Sequence, residues 1–65
     1  MTLTKRESEI VTLVADGLRN YEIAQRLGIS KRTVETHRFN VHKKWGVHTT
    51  GGLIHQAMKS GVIAA

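Results

Sequence analysis

The 65-residue chain has no cysteine and no proline, and only one tryptophan, one tyrosine and one phenylalanine. Lacking cysteine, it can form neither a disulfide nor a thiolate metal site, so a domain of this size must draw its stability from a few packed apolar faces. Lacking proline, it has nothing to break a helix from within. Long apolar runs are missing as well, and nothing approaches the roughly 20 apolar residues of a membrane span. Met1 is followed by Thr2, Leu3 and Thr4 instead of a basic and then apolar leader, which reads as a cytosolic chain with no membrane partner. Acidic residues are scarce: five Asp and Glu stand against ten Lys and Arg, a formal charge of +5.

That excess is local. In "LGISKRTVETHRFNVHKKWG", residues 27–46, Lys31, Arg32, Arg38, Lys43 and Lys44 face the single carboxylate of Glu35, so five cations against one anion leave +4 on one short segment. A localised basic element presents one oriented patch and favours a polyanion as partner.

Apolar residues recur at intervals of three and four with no strand-like alternation, which predicts an all-α fold, a four-helix bundle with helices at about 4–16, 20–27, 31–45 and 49–60. Thr4 with Glu7 fits a capping box, followed by an inward stripe of Ile10, Val11, Leu13 and Val14 that closes at Asp16-Gly17. Asn20 begins a second helix that packs Ile23, Ala24 and Leu27 and stops at Gly28. Only Ile29 separates that glycine from Ser30, an N-cap for the third helix, which runs to Trp45 and stops at Gly46. The fourth carries Leu53, Ile54, Ala57 and Met58; its start is weak, because Gly51 and Gly52 each cost about 1 kcal/mol relative to alanine in a helix interior.

At 100° per residue, Val34, His37, Val41 and Trp45 share one sector of the third helix, while Arg32, Glu35, Thr36, Phe39, His42 and Lys43 fall opposite, flanked by Lys31 and Arg38. One side is dry and the other displayed. Cations framing a strip of polar and aromatic groups suit the major groove of DNA, where the cations meet phosphates and shorter side chains reach base edges. The tight turn at Gly28 to Ser30, with small Ala24 permitting close approach, is helix-turn-helix geometry at about residues 20–39.

The stretches "LTKRESEIVTLVADGLRNYEIA", "NYEIAQRLGISKRTVETHRFNVHKKWGV" and "GLIHQAMKSGVI" resemble, in order, the LuxR-type (GerE-type) helix-turn-helix domain of bacterial transcription regulators, over almost the whole chain. The resemblance implies a single domain over residues 1–65 whose second and third helices dock on double-stranded DNA and whose fourth helps two copies form a homodimer there. It implies a DNA-facing set of Asn20, Tyr21, Lys31, Arg32, Thr33, Glu35, Thr36, Arg38, Phe39 and Lys43, with Glu35, Thr36 and Phe39 reading bases, and a dimer-facing set of Thr50, Leu53, Ile54 and Ala57. It further implies a DNA-binding piece of a longer regulator, such as a two-component response regulator, with a receiver or ligand-binding domain upstream. Departures from the pattern are Glu35 where some members carry Lys, Phe39 at a commonly small or polar position, Trp45 where Leu is usual, and Gly51-Gly52 where an acidic cap is common.

Blander readings compete. Glu35 is favoured as an ion pair with Arg32 or Arg38, worth about 0.3–0.5 kcal/mol, over an acceptor for cytosine N4. Phe39 divides evenly between ordinary surface and contact with a thymine methyl. His37 and His42 point about 140° apart on a helix, which excludes a shared metal, and no other cofactor is expected. No glycine-rich phosphate loop or paired nucleophile and base is present, so the chain reads as a non-enzyme. The alternatives are a sigma-factor-like promoter-reading domain, which lacks the fourth apolar stripe, and a basic helical protein-interaction module, which leaves the short turn unexplained. A membrane-surface helix would need large apolar residues that the core already uses.

Overall fold

The computed structural model describes residues 2–64, which form α1 (Lys5–Ala15), α2 (Asn20–Leu27), α3 (Lys31–Trp45) and α4 (Thr50–Ser60), with no strand among the described residues. All four expected helices are present. Thr4, Asp16 and Thr49, included in the expected bounds, stand just outside as caps.

Each helix start has a local cause. At α1 the Thr4 hydroxyl accepts from the Glu7 N–H at 3.1 Å and the Glu7 carboxylate accepts from the Thr4 N–H at 2.8 Å, satisfying two donors that the first turn leaves free. Glu22 accepts from the Arg19 N–H at 2.8 Å before α2, the Ser30 hydroxyl from the Thr33 N–H at 3.0 Å before α3, and the Thr49 hydroxyl from the Gly52 N–H at 2.9 Å before α4. Glycine leaves room for the last of these, because a Cβ on Gly52 would lie 3.2 Å from the Thr49 hydroxyl and would press that side chain aside by a few tenths of an ångström.

The turn between α2 and α3 is equally specified. Gly28 takes φ +68° and ψ +34°, and the Ile29 N–H returns to the Ala24 carbonyl at 3.0 Å, so the chain leaves α2 and reaches the Ser30 cap within three residues. Any other L-residue in that left-handed conformation costs roughly 1–2 kcal/mol.

The core draws on every helix: Ile10, Val11 and Val14, Ile23 and Ala24, Val34 and Val41, and Leu53 and Ala57. Val34 and Val41 are completely buried, and α3 packs against all three other helices. Trp45 lies partly buried against this cluster, on the side where the third helix was expected to be dry.

One polar group is buried with them. Glu7 is 4% exposed, and its Oε1 accepts from both the Thr4 N–H and Lys44 Nζ, the latter at 2.6 Å, so a cation of α3 is tied to the first turn of α1. Burial alone would push this carboxyl upward, but the bonds from Lys44 and Thr4 outweigh it and hold the group below its ordinary value of 4.5. A carboxylate lowered in the folded state contributes its full stability above the unfolded value and loses it as pH falls through the lower, folded one. The acid limb of stability therefore begins near pH 4.5 and extends below it. Urea unfolding should show Lys44→Met destabilised by about 1–3 kcal/mol at neutral pH, because it strands a buried carboxylate. The same variant should lose less stability than the parent between pH 5 and 3, in a window set by the ordinary value of 4.5. Equal acid sensitivity in the two proteins would mean that the pair contributes nothing.

Candidate nucleic-acid interface

With Val41 at the centre of the buried side of α3, steps of 100° put Arg38 about 60° to one side and Lys44 about 60° to the other. Arg32, Thr36, Phe39 and Lys43 fall within about 40° of the opposite pole. These four are exposed, as are Lys31, Thr33 and Glu35 on the first turns, and Tyr21 at the start of α2. Phe39 is 61% exposed and Tyr21 51%, so two of the three aromatic rings lie on the surface. Phe39 does not fold back onto the core: Lys43 Nζ sits 5.6 Å from its ring centroid, a cation–π contact worth about 0.5–1 kcal/mol at an exposed site.

The five cations of α3 are not equivalent. Lys44 is spent on Glu7. Arg38, expected to face outward as a phosphate ligand, is partly buried, and its Nη1 and Nη2 donate to Asn20 Oδ1 at 2.6 Å and Thr50 Oγ1 at 3.1 Å. Burial lowers its pKa, although a guanidinium stays charged at neutral pH. The Nη1 bond occupies the side-chain oxygen of Asn20, which was also expected to face DNA. Lys31, Arg32 and Lys43 are the three that remain outward. Lys31 lies 3.9 Å from Glu35, so Glu35 has an ion-pair partner other than the expected Arg32 or Arg38; both side chains are well exposed, and such a pair contributes little.

Around this face, the Thr33 hydroxyl lies 2.8 Å from that of Ser30 and belongs to the α3 cap. His42, without a role in the sequence reading, has Nδ1 3.1 Å from the Val47 carbonyl and fastens the chain leaving α3. Asn20, Arg38, Phe39, His42 and His48 line a cleft beside the exposed strip. Among the described residues no three His, Asp or Glu side chains gather as metal ligands, and no helix is long and apolar enough to cross a membrane.

Of the residues expected to face a second copy, Leu53 and Ala57 are 0% exposed, because they fill the space between α4 and the rest of the core. Ile54 is partly buried, Thr50 is exposed with its hydroxyl engaged by Arg38, and Met58 is 38% exposed.

This helix-turn-helix followed by a packed fourth helix has a counterpart in sequence: the model of the GerE family, described as bacterial regulatory proteins of the luxR family, matches residues 1–57. The chain belongs to the luxR family. Membership makes it a DNA-binding domain of the type found in transcription regulators. Within the luxR relatives, it is 55% identical over 60 residues to the uncharacterized response regulatory protein YgeK of Escherichia coli (strain K12), covering 92% of this chain and 41% of that protein. It is 48% identical over 62 residues to the transcriptional regulatory protein MctR of Rhizobium johnstonii, covering 95% of this chain and 29% of that one. The chain thus spans less than half the length of these relatives. Among solved structures it matches the response regulator ChrA of a heme-sensing two-component system with a TM-score of 0.91 at 35% identity, covering 97% of this chain and 31% of that one. It matches VqmA of a Vibrio cholera VqmA–ligand–DNA complex with a TM-score of 0.88 at 34% identity, covering 100% of this chain and 28% of that one.

If the outward strip of this luxR domain is free of wider structural duty, Arg32→Ala should change unfolding free energy by no more than about 0.5 kcal/mol and Phe39→Ala by no more than about 1 kcal/mol, the most that its contact with Lys43 supplies. Leu53→Ala should cost about 2–5 kcal/mol, as a core residue does, and should do so equally at all protein concentrations. A concentration-dependent loss on Leu53→Ala would return that residue to a subunit interface.

Proposed function

We propose that this domain reads double-stranded DNA sequence-specifically, with α3 in the major groove and α2 lying across the backbone. The observation that carries the reading is the division of α3 into a fully buried face and an exposed strip, because a helix held rigidly by one side can place the other at a fixed depth in a groove. Lys31, Arg32 and Lys43 meet phosphates, with Tyr21 doing so from α2. Thr36 and Phe39 reach base edges, with Phe39 suited to a thymine methyl. Glu35 is held only weakly by Lys31 and is available to accept from a cytosine or adenine amino group. VqmA, similar in fold to this chain, was solved in a complex with DNA, which supports DNA as the partner.

Two copies bind together on paired half-sites through the outer side of α4. With Leu53 and Ala57 enclosed, the pairing surface is Ile54 and its exposed neighbours on that helix. The reading is of a binding element with no catalytic step and no cofactor. In the intact regulator an upstream receiver or ligand-binding domain supplies the controlling signal, in keeping with the greater length of the relatives named response regulators.

Three neutralised phosphates predict a log–log dependence of affinity on salt with a slope near −3 per copy and about twice that for a dimer. Titration of labelled duplexes at several salt concentrations measures this, with sequences selected from a random pool set against unselected ones. The selected sequences should share a two-fold-symmetric motif with half-sites about one helical turn apart. Slopes near zero on every duplex would contradict DNA binding, and a selected pool without any common motif would contradict sequence reading.

A further inference from the structure

We infer that Arg38 is a positioning residue that sets the recognition helix against the starts of α2 and α4, and that it does so by geometry and not as a phosphate ligand. The inference rests on the DNA-binding reading and extends it to a group that touches no base.

The guanidinium sits mid-way along α3 and donates through two different nitrogens: Nη1 to Asn20, the first residue of α2, and Nη2 to Thr50, the first residue of α4. One planar fork thus joins three helices across 18 and 12 residues of sequence. A lysine has no such fork, because a single ammonium cannot hold two partners at a fixed angle. Attraction to helix dipoles does not account for the placement, since both bonds lead to helix N-termini, the positive ends, where a cation gains nothing.

Both anchor points need holding. The first turn of α4 contains Gly51 and Gly52, residues that favour fraying, and the bond to Thr50 pins that turn where it begins. The start of α2 carries Tyr21 and the backbone N–H groups of its first turn, which in the proposed docking are the groups of that helix turned to the DNA backbone. Tying Asn20 to the middle of α3 therefore fixes the separation between the backbone-contacting end of α2 and the base-reading strip at Thr36 and Phe39. Asn20 and Arg38 act on DNA through that separation.

The 65-residue chain, titrated with the duplex recovered from a random pool and with an unselected duplex, tests this. Arg38→Lys and Arg38→Gln should each lose about tenfold in affinity for the selected duplex, a coupling typical of residues in one network, and change little on the unselected one. Their salt slopes should match the parent's, whereas Lys43→Gln should lower the slope by about 1 and weaken both duplexes alike. Thr50→Val should reproduce part of the Arg38 defect and Thr50→Ser should restore it. A silent Arg38→Lys, or an Arg38→Gln that cuts the slope by about 1 and weakens both duplexes equally, would overturn the inference and make Arg38 a phosphate contact. Should the parent bind no duplex, the DNA reading fails separately, and urea unfolding of Arg38→Gln, Thr50→Val and the double variant decides the positioning role alone. Non-additive effects support the fork, and additive ones overturn it.

Discussion

Val34 and Val41, seven residues apart on α3 and both without exposed surface, fix the rotation of that helix about its own axis. Everything displayed follows from them. Two turns of helix separate the pair, so both side chains point the same way into the seam made by α1, α2 and α4, and the opposite pole has to face outward. A rotation by one residue would turn a valine out and bring Arg38 or His42 into the apolar seam, replacing burial worth about 25 cal/mol per Å² with the desolvation of a polar group. The rigidity needed to present side chains at a constant depth comes from that difference.

The same constraint sorts the basic residues of α3. Arg38 and Lys44 flank the buried valines, one on each side, and each bends to an oxygen-bearing partner on a neighbouring helix. Their hydrogen bonds tie α3 to its neighbours, and only the Lys44 bond to Glu7 is also an ion pair. Lys31, Arg32 and Lys43, farther round the cylinder or on its exposed first turn, carry the charge available to a partner. A count of Lys and Arg on the segment thus overstates what the domain presents to DNA, and a helix that looks uniformly cationic in sequence has two distinct classes of cation in space.

Much of this architecture can be read from local sequence, because its causes are local. Capping residues lie three positions from the amides they satisfy, the Gly28 turn is specified within a few residues, and the period of the apolar stripe selects Val34 and Val41 from a single helix. What sequence reading misses is non-local. Nothing near Lys44 announces Glu7, 37 residues away, and nothing near Arg38 announces Asn20 or Thr50. A finer reading of the helical wheel holds part of the signal, since both cations fall beside the dry sector instead of opposite it. The α4 stripe shows the reverse limit: its period marks Leu53 and Ala57 as apolar and inward, and only packing decides that this chain's own core, not a second copy, covers them.

One face of α3 is committed to folding, and the proposed function commits the other to DNA. Mapping backbone amide chemical shifts in NMR spectra while a selected duplex is added tests that division most directly, because every residue reports in one experiment. The largest perturbations are expected at Lys31, Arg32, Thr36, Phe39 and Lys43 and at the start of α2 around Tyr21. Perturbations centred on Thr12, Ile54 and Met58, with the α3 strip unmoved, would contradict that division.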